Sequence, residues 1–295
     1  MALGCAPLAG LYAEVAEEQA YATVRTALDI GVRLFDTAPL YGSGLSELRL
    51  GAALAGVPRE SFEVQTKVGR LLVEGGMGQP IFVGAPPLTP VFDFSADGVR
   101  RSLDASLERL GLDRVDSLLL HDPDDHWEPA ISEAYPAIER LRAEGVVSRI
   151  GAGMNQSAML ARFARETDMD VFMIAGELTL LDDTALDELV PAATGRTVLA
   201  AAPFNSGVLA GGDTFFYGPI PDWVRGKVEA LRAVCDRFDV PLAAAALQYP
   251  LRHVEGVVVG SRSPEEVVEN ERLAHLPLPP ELWQELGFAG LVRSG

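Results

Sequence analysis

Four side chains that can hold or move a proton stand at or just after the ends of strand-like segments. Asp36 and Lys67 end two of these segments, VRLFD and EVQTK, and His121 ends a third, SLLLH. Tyr41 follows the first segment in the turn sequence FDTAPLYG. Each residue alone also fits a structural role, as a turn cap, a loop anchor, a solvated strand end or a satisfied histidine. Together the four predict proton transfer at a carbonyl or hydroxyl group.

The chemistry of this set depends on the tyrosine. An unperturbed phenol has a pKa of about 10, so Tyr41 needs a nearby cation if it is to exchange a proton near neutrality. Lys67 can supply that charge, Asp36 can orient the lysine, and His121 can donate a hydrogen bond to the substrate oxygen. Because none of these groups is a redox centre, hydride chemistry here requires a nicotinamide cofactor.

Strand-like and helix-like segments alternate along the chain. Apolar residues recur at helical spacing over 20–28, 99–110 and 138–141, and each run is followed by a glycine suited to a helix end, Gly31, Gly111 or Gly145. The predicted strands are 2–6, 32–36, 63–67, 117–121, 149–153, 171–175, 198–202 and 256–260. Eight such rounds without a linker predict an α/β fold of one domain over 1–295, a closed (β/α)8 TIM barrel. An open sheet with an extra domain is the alternative.

Two long segments rich in Gly and Pro, 70–95 and 203–221, follow the third and seventh predicted strands. In a barrel they lie at the carboxyl-terminal mouth, where active sites form. Their side chains can line a substrate pocket or only anchor the loops. Those in question are Met77, Phe82, Phe92, Phe94, Phe204, Phe215, Phe216 and Tyr217.

The composition excludes several classes of partner. The 295 residues carry 24 basic and 42 acidic side chains, a net charge of −18, which disfavours nucleic acid and anionic membranes as partners. No apolar run is long enough to span a bilayer, and MALGCAPLAG lacks the features of a signal peptide, so we expect a cytoplasmic protein. Cys5 and Cys235 are too few for a disulfide framework and are expected to be buried. A monomer is the default expectation.

Longer motifs carry a resemblance to a known family. FDTAPLYG, a strand ending in TK, LLLHDP and a late GSRSPEEVVEN resemble the aldo-keto reductase superfamily. GMNQ, TLLDD, PFNSGVL and PLAAAALQYPL resemble more closely its group of D-threo-aldose (L-fucose) 1-dehydrogenases, pyridoxal 4-dehydrogenases and L-galactose dehydrogenases. The resemblance implies a (β/α)8 barrel and a catalytic tetrad of Asp36, Tyr41, Lys67 and His121, with Tyr41 as the acid/base. It also implies oxidation of an aldose at C1 to a lactone, with pyridoxal or a pathway-specific aldehyde or ketone as alternative substrates.

The same resemblance implies where an NAD or NADP cofactor binds. NADP-preferring members often carry Lys and Arg at the positions of Gly260 and Glu266, and a glutamate repels a 2′-phosphate, so we expect NAD to be preferred, although Arg262 remains a nearby cation. The implied cofactor-binding residues are Asn155, Phe204, Asn205, Ser206, Gly207, Leu209, Gly260, Ser261, Arg262, Glu269 and Asn270.

Departures from the family pattern, and two rival functions, complete the expectations. Ala175 and Ala201 stand where the superfamily often has Gln and an aromatic residue, and Glu177 and Leu178 suggest an altered substrate pocket.

The run HDPDDH at 121–126 concentrates potential metal ligands, although we predict no metal site. A cofactor-binding regulatory barrel without turnover is the alternative of another class.

Overall fold

The barrel strands are short and mostly apolar on both faces, as is typical of parallel strands covered inside and outside. The computed structural model describes residues 1–75 and 79–293. The barrel strands are β1 Ala2–Gly4, β2 Leu34–Asp36, β3 Glu63–Val68, β4 Val115–His121, β5 Val147–Met154, β6 Val171–Ala175, β7 Thr197–Ala201 and β8 Gly256–Gly260. They close in the order β1-β8-β7-β6-β5-β4-β3-β2, and every pair is parallel. The predicted (β/α)8 barrel is confirmed.

Helices connect successive strands and cover the outside of the barrel. The α-helices are Glu17–Asp29, Leu45–Leu54, Ala96–Leu110, Trp127–Pro129, Tyr135–Ala143, Ser157–Glu166, Leu189–Ala192, Asp222–Arg237, Leu242–Leu251, Pro264–Ala274 and Pro280–Phe288, with a π-helical turn at Ala130–Ala134. Short 3-10 turns lie at Ala6–Ala9, Arg59–Ser61, Thr184–Leu186 and Val208–Ala210. The three predicted helix-ending glycines, Gly31, Gly111 and Gly145, all have positive φ, which lets the chain leave each helix without strain.

Alternation along the strands decides which side chains enter the barrel. Leu119, Val171, Met173 and Val258 form part of a small apolar cluster separate from the two larger clusters of buried residues. On β3, Gln65 contacts Asp36 of β2, whereas Thr66 bonds outward to the helix Leu45–Leu54. Residues two apart on a strand share a face, so the strand that carries Gln65 inward also carries Lys67 inward.

The structure differs from the sequence-based expectation at the ends and loops. The first strand stops at Gly4 because Ala6–Ala9, with Pro7 near its start, turns as a 3-10 helix. The segment 70–95 contains an antiparallel hairpin, Arg70–Glu74 with Leu88–Phe92. The segment 203–221 contains a smaller antiparallel hairpin with strands of two residues each, Thr214–Phe215 and Gly218–Pro219. Met77 lies outside the described residues. Within 1–75 and 79–293, no helix has the length and apolar character needed to cross a membrane.

Candidate active site

A buried ion pair joins the ends of two neighbouring strands at the mouth of the barrel. Asp36 ends β2, and β3 runs beside it with Asp36 opposite Gln65, which brings the next inward residue, Lys67, against the carboxylate. Lys67 Nζ donates to Asp36 Oδ1 at 2.8 Å, to Oδ2 at 2.9 Å and to the carbonyl oxygen of Thr37 at 2.9 Å. Lys67 is 1% and Asp36 2% exposed, so the pair is withdrawn from water. The lysine therefore has a fixed position.

Tyr41 completes the lysine's set of partners. Lys67 Nζ donates to the Tyr41 hydroxyl over 3.1 Å. The phenol ring stands perpendicular to the His121 ring, with 5.8 Å between centroids. Asp36, Tyr41, Lys67 and His121 all line one cavity. The structure thus brings together all four residues predicted for proton transfer.

The pKa of Tyr41 moves opposite to the sequence-based expectation. We expected Lys67 to bring the phenol close to ionisation. Burial instead raises the pKa of Tyr41 well above its ordinary value, and the Asp36 carboxylate raises it further. Because Asp36 contacts the lysine with both carboxylate oxygens, it offsets the cation's effect on the phenol. Tyr41 therefore carries its proton at neutral pH in the free protein.

His121 is uncharged in the same surroundings. Burial lowers the pKa of His121 well below its ordinary value, and the cations Lys67 and Arg70 lower it further. A neutral imidazole can donate a hydrogen bond, and His121 lies in the lining of the cavity, where a substrate oxygen would accept it. The pair of Tyr41 and His121 therefore presents two neutral donors to an oxygen atom bound between them.

Sequence reasoning overlooked three residues that support this set. Gln65 Nε2 donates to Asp36 Oδ1 over 2.8 Å, and its i, i+2 spacing from Lys67 on a strand was the available signal. Arg70 donates to the carbonyl oxygen of His121 over 3.1 Å and to Asp122 Oδ2 over 3.0 Å. Asp122 lines the cavity next to His121, and the HDP sequence gave no indication of its partner.

One cavity of about 550 Å³ runs from the four proton-handling residues to the start of the helix Pro264–Ala274. Among the predicted cofactor residues, those that line it are Asn155, Phe204, Ser206, Gly207, Gly260, Arg262 and Asn270. The other four lie behind or beside the lining. Asn205 and Leu209 are buried, Ser261 accepts a hydrogen bond from Asn270, and Glu269 pairs with Arg272. The cofactor assignments remain predictions.

The end of the cavity away from Tyr41 carries an acidic and a basic residue, Glu266 and Arg262, which contact each other. Glu266 Oε2 accepts from the Arg262 backbone N–H at 2.9 Å, and Glu266 Oε1 lies 3.5 Å from Arg262 Nε. Ser263 caps the helix by accepting from the backbone N–H of Glu266. A helix start of this kind attracts anions, but Glu266 places a carboxylate in the lining of the same cavity.

The mouth aromatics divide between pocket and anchor. Phe204 and Tyr217 line the cavity, whereas Phe82 and Phe94 are buried. Gly69, with φ +106, has the Phe94 ring where a side chain would start, 2.2 Å from an ideal Cβ. Only glycine fits there, and the turn it makes directs the chain into the hairpin that begins at Arg70.

Two sequence departures lie away from the cavity lining. Glu177 accepts from the backbone N–H of Ser157 at the start of a helix, and Leu178 is packed in the core. The expected alteration of the substrate pocket therefore does not act by direct contact at these positions. His126, the second histidine of HDPDDH, packs against Phe92 with the two rings tilted by 46° and 4.5 Å between centroids. In the described part of the chain no three His, Cys, Asp or Glu residues are grouped to hold a metal.

Comparison with known proteins decides the family. The model of the aldo/keto reductase family matches residues 1–287. The chain belongs to the aldo-keto reductase family. It is therefore an NAD(P)-dependent oxidoreductase, as the motifs and the barrel implied.

This aldo-keto reductase is similar to several curated proteins over most of its length. It is 42% identical to a D-threo-aldose 1-dehydrogenase of Pseudomonas sp, with 99% of this chain and 94% of the relative covered. It is 36% identical to a pyridoxal 4-dehydrogenase of Microbacterium luteolum, with coverage of 99% and 94%. It is also 36% identical to an L-galactose dehydrogenase of Arabidopsis thaliana, with coverage of 90% and 81%. The predicted closer grouping within the family is confirmed.

A solved structure agrees with the fold. An aldo-keto reductase from Bacillus halodurans in its holo form superposes with a TM-score of 0.81 at 26% identity, covering 100% of this chain and 92% of that one. The barrel is thus that of an aldo-keto reductase.

Proposed function

We propose that this enzyme oxidises C1 of a neutral aldose to the lactone, with NAD as the hydride acceptor. The observation that carries the proposal is the contact of Lys67 with both Asp36 and Tyr41 in a cavity that also holds His121. The relatives named as D-threo-aldose and L-galactose dehydrogenases supply the substrate class. Asp36, Tyr41, Lys67 and His121 are the proposed catalytic residues.

In the proposed step, a sugar hemiacetal binds with its C1 hydroxyl between Tyr41 and His121. In the deprotonated form of Tyr41, the hydroxyl proton moves to the phenolate oxygen while C1 loses hydride, which a bound nicotinamide would accept, and the bond from C1 to its hydroxyl oxygen becomes the lactone carbonyl. His121 donates a hydrogen bond that fixes the oxygen, and Lys67 stabilises the charge that passes through the tyrosine oxygen. Run backwards, the Tyr41 phenol protonates a carbonyl oxygen.

Two features support binding of a dinucleotide in the cavity. It connects the catalytic end with the start of the helix Pro264–Ala274. Behind the lining, Asn205 Oδ1 is buried without a hydrogen-bond partner among the described residues. When bound, a nicotinamide supplies the hydride acceptor. Asn155 would hold its carboxamide, Ser206 and Gly207 would hold the pyrophosphate, and Asn270 would hold the adenosine end.

The proposed function is tested by absorbance at 340 nm. Purified enzyme is mixed with NAD or NADP and with L-fucose, D-arabinose, L-galactose or pyridoxal. Rapid NADH formation with a sugar supports aldose oxidation, whereas turnover with pyridoxal alone supports the activity named for the second relative. Turnover only in the reverse direction, with an aldehyde or ketone and NADH, would instead make the enzyme a carbonyl reductase.

The charge at the far end of the cavity predicts cofactor choice. We expect kcat/KM to be about tenfold or more higher with NAD than with NADP, because the Glu266 carboxylate repels a 2′-phosphate. Replacing Glu266 with Gln should narrow this ratio several-fold by raising the efficiency with NADP. The neighbouring Glu265→Gln is the control, since Glu265 is exposed and is not among the residues lining the cavity. If the ratio of kcat/KM with NAD to kcat/KM with NADP were unchanged in Glu266→Gln, Glu266 would not be the cause of the preference for NAD.

The pKa of Tyr41 predicts how each direction depends on pH. Only deprotonated Tyr41 can take a proton, and its pKa is raised, so kcat/KM for sugar oxidation should rise about tenfold per unit over about pH 6 to 9. Reduction of a carbonyl uses the protonated form, which predominates throughout that range, and should stay nearly constant. His121 adds no inflection near neutrality, since its pKa is lowered. A plateau of the oxidation rate near pH 7 would mean that the phenol ionises far more readily than its surroundings indicate.

A further inference from the structure

Asp122 stands next to the catalytic end of the cavity in an unusual backbone conformation. It follows His121, the last residue of β4, and has φ +45. Its backbone N–H donates to the carbonyl oxygen of Gly153 over 3.0 Å, which holds the residue in place. Asp and Asn tolerate this left-handed region better than most residues. The conformation is compatible with Asp122 as a lining residue of the cavity.

Arg70 fixes the Asp122 side chain on one oxygen only. The guanidinium donates to Asp122 Oδ2 at 3.0 Å and to the His121 carbonyl oxygen at 3.1 Å, and it lies 4.4 Å from the centroid of the Phe92 ring. Asp122 Oδ1 has no hydrogen-bond donor in the part of the chain that the structure describes. Arg70 is absent from the described lining of the cavity, whereas Asp122 is part of it. The carboxylate therefore keeps a free acceptor.

A second polar group in the same cavity also lacks a partner. The Tyr12 hydroxyl is buried and has no hydrogen-bond partner among residues 1–75 and 79–293. The residue has φ +66, and its backbone N–H donates to the carbonyl oxygen of Ile81 over 2.9 Å. Its ring lies 6.1 Å from that of Tyr217 between centroids. A buried hydroxyl left without a partner costs about 1–3 kcal/mol, so a ligand that supplies one is favoured.

The Asp122 carboxylate lies near the reacting groups, with its Oδ2 3.6 Å from Nε2 of His121. Its charge raises the pKa of Tyr41 and also that of Tyr217. Tyr12, Asp122 and Tyr217 are all non-glycine residues with positive φ that line this cavity. Strained backbone of this kind persists where the surrounding structure holds it and is concentrated at ligand sites.

We propose that Asp122 and Tyr12 form a subsite that binds hydroxyl groups of the sugar ring adjacent to its reacting carbon, and so selects polyhydroxylated substrates. This inference rests on the proposed aldose oxidation. A ring hydroxyl donates to the free oxygen of Asp122, and the Tyr12 hydroxyl both donates to and accepts from a second one. An aldehyde without hydroxyls leaves both groups unpaired, which lowers its efficiency relative to a sugar.

The experiment compares L-galactose with its monodeoxy analogues at C2, C3, C4 and C6, the last being L-fucose, in wild type, Asp122→Asn and Tyr12→Phe. Asn is chosen because it keeps the side-chain size and tolerates the left-handed backbone. We expect Asp122→Asn to lower kcat/KM for L-galactose about 10- to 100-fold, mainly through KM, since a hydrogen bond to a charged group is lost. Tyr12→Phe should lower it about 3- to 10-fold. The matched controls are Asp125→Asn and Tyr21→Phe, which change exposed residues outside the lining of the cavity.

The decisive readout is the coupling between enzyme and substrate changes. For the analogue that lacks the hydroxyl bound by Asp122, the kcat/KM of wild type should be lower than for L-galactose. The kcat/KM of Asp122→Asn should be the same for this analogue as for L-galactose, because the substitution has already removed the same hydrogen bond. If wild type oxidises the sugars, but each deoxy analogue lowers kcat/KM by the same factor in wild type and in the variants, the proposed subsite is wrong and the proposed function stands. If wild type oxidises none of them while still binding NADH, both are wrong.

Discussion

The Tyr41→Phe variant should lose about three orders of magnitude in kcat for sugar oxidation while its affinity for NADH stays close to that of wild type. The phenol oxygen is the atom that contacts Lys67 Nζ, at 3.1 Å, and removing a positioned general acid/base costs about 10²- to 10⁴-fold. The ring itself remains, so the packing against His121 is preserved. Stopped-flow turnover and fluorescence titration with NADH would measure the two quantities.

Tyr21→Phe is the control for this variant, since Tyr21 lies on the outer helix Glu17–Asp29 and is 45% exposed. It should leave both kcat and NADH affinity unchanged. A Tyr41→Phe enzyme within tenfold of the wild-type rate would show that another group exchanges the proton. Loss of NADH affinity together with activity would indicate a damaged cavity, and not a missing acid/base.

Replacing Lys67 with Met should both abolish turnover and destabilise the fold. The substitution leaves the Asp36 carboxylate buried without its cation, and breaking a buried pair from one side costs about 3–5 kcal/mol in the free energy of unfolding. Turnover falls because nothing then supports the charge on the Tyr41 oxygen. Denaturant unfolding and the 340 nm assay would measure the two effects.

The double variant Asp36→Asn, Lys67→Met separates these effects. Removing both charges should recover most of the lost stability, since no uncompensated ion stays buried, but activity should remain lost. Arg114→Met is the matched control, because Arg114 pairs with Asp113 at the surface and its loss should cost at most about 1 kcal/mol. Recovery of turnover in the double variant would contradict a role of Lys67 in catalysis.

The Tyr41→Phe and Lys67→Met variants test different parts of one hydrogen-bonded group. Tyr41 exchanges the proton, whereas the pair of Asp36 and Lys67 positions a charge behind it. The raised pKa of Tyr41 in the free protein means that its proton is held firmly at neutral pH. The same arrangement therefore suits a phenol that protonates a carbonyl, and oxidation of a sugar is favoured by alkaline pH.

Much of the fold could be predicted because its signals are local. Each strand is a short apolar run and each helix repeats at its own period, so all eight barrel strands were located to within two residues at either end. The hairpin Arg70–Glu74 with Leu88–Phe92 was expected to be loop, because its Gly- and Pro-rich connection hides the pairing of distant residues. Such pairing depends on which segments meet in space, and single-segment patterns do not reveal it.

The sequence by itself determined the barrel and the identity of the four proton-handling residues, because in parallel α/β barrels functional groups stand where strands end. Only the tertiary structure decided that Lys67 is bound by both oxygens of Asp36, that burial raises the pKa of Tyr41, and that Glu177 caps a helix away from the cavity lining. The same holds for the contact of Arg70 with Asp122, residues far apart in the chain. Burial and charge pairing arise from neighbours in three dimensions, so they are fixed when the strands close into the barrel.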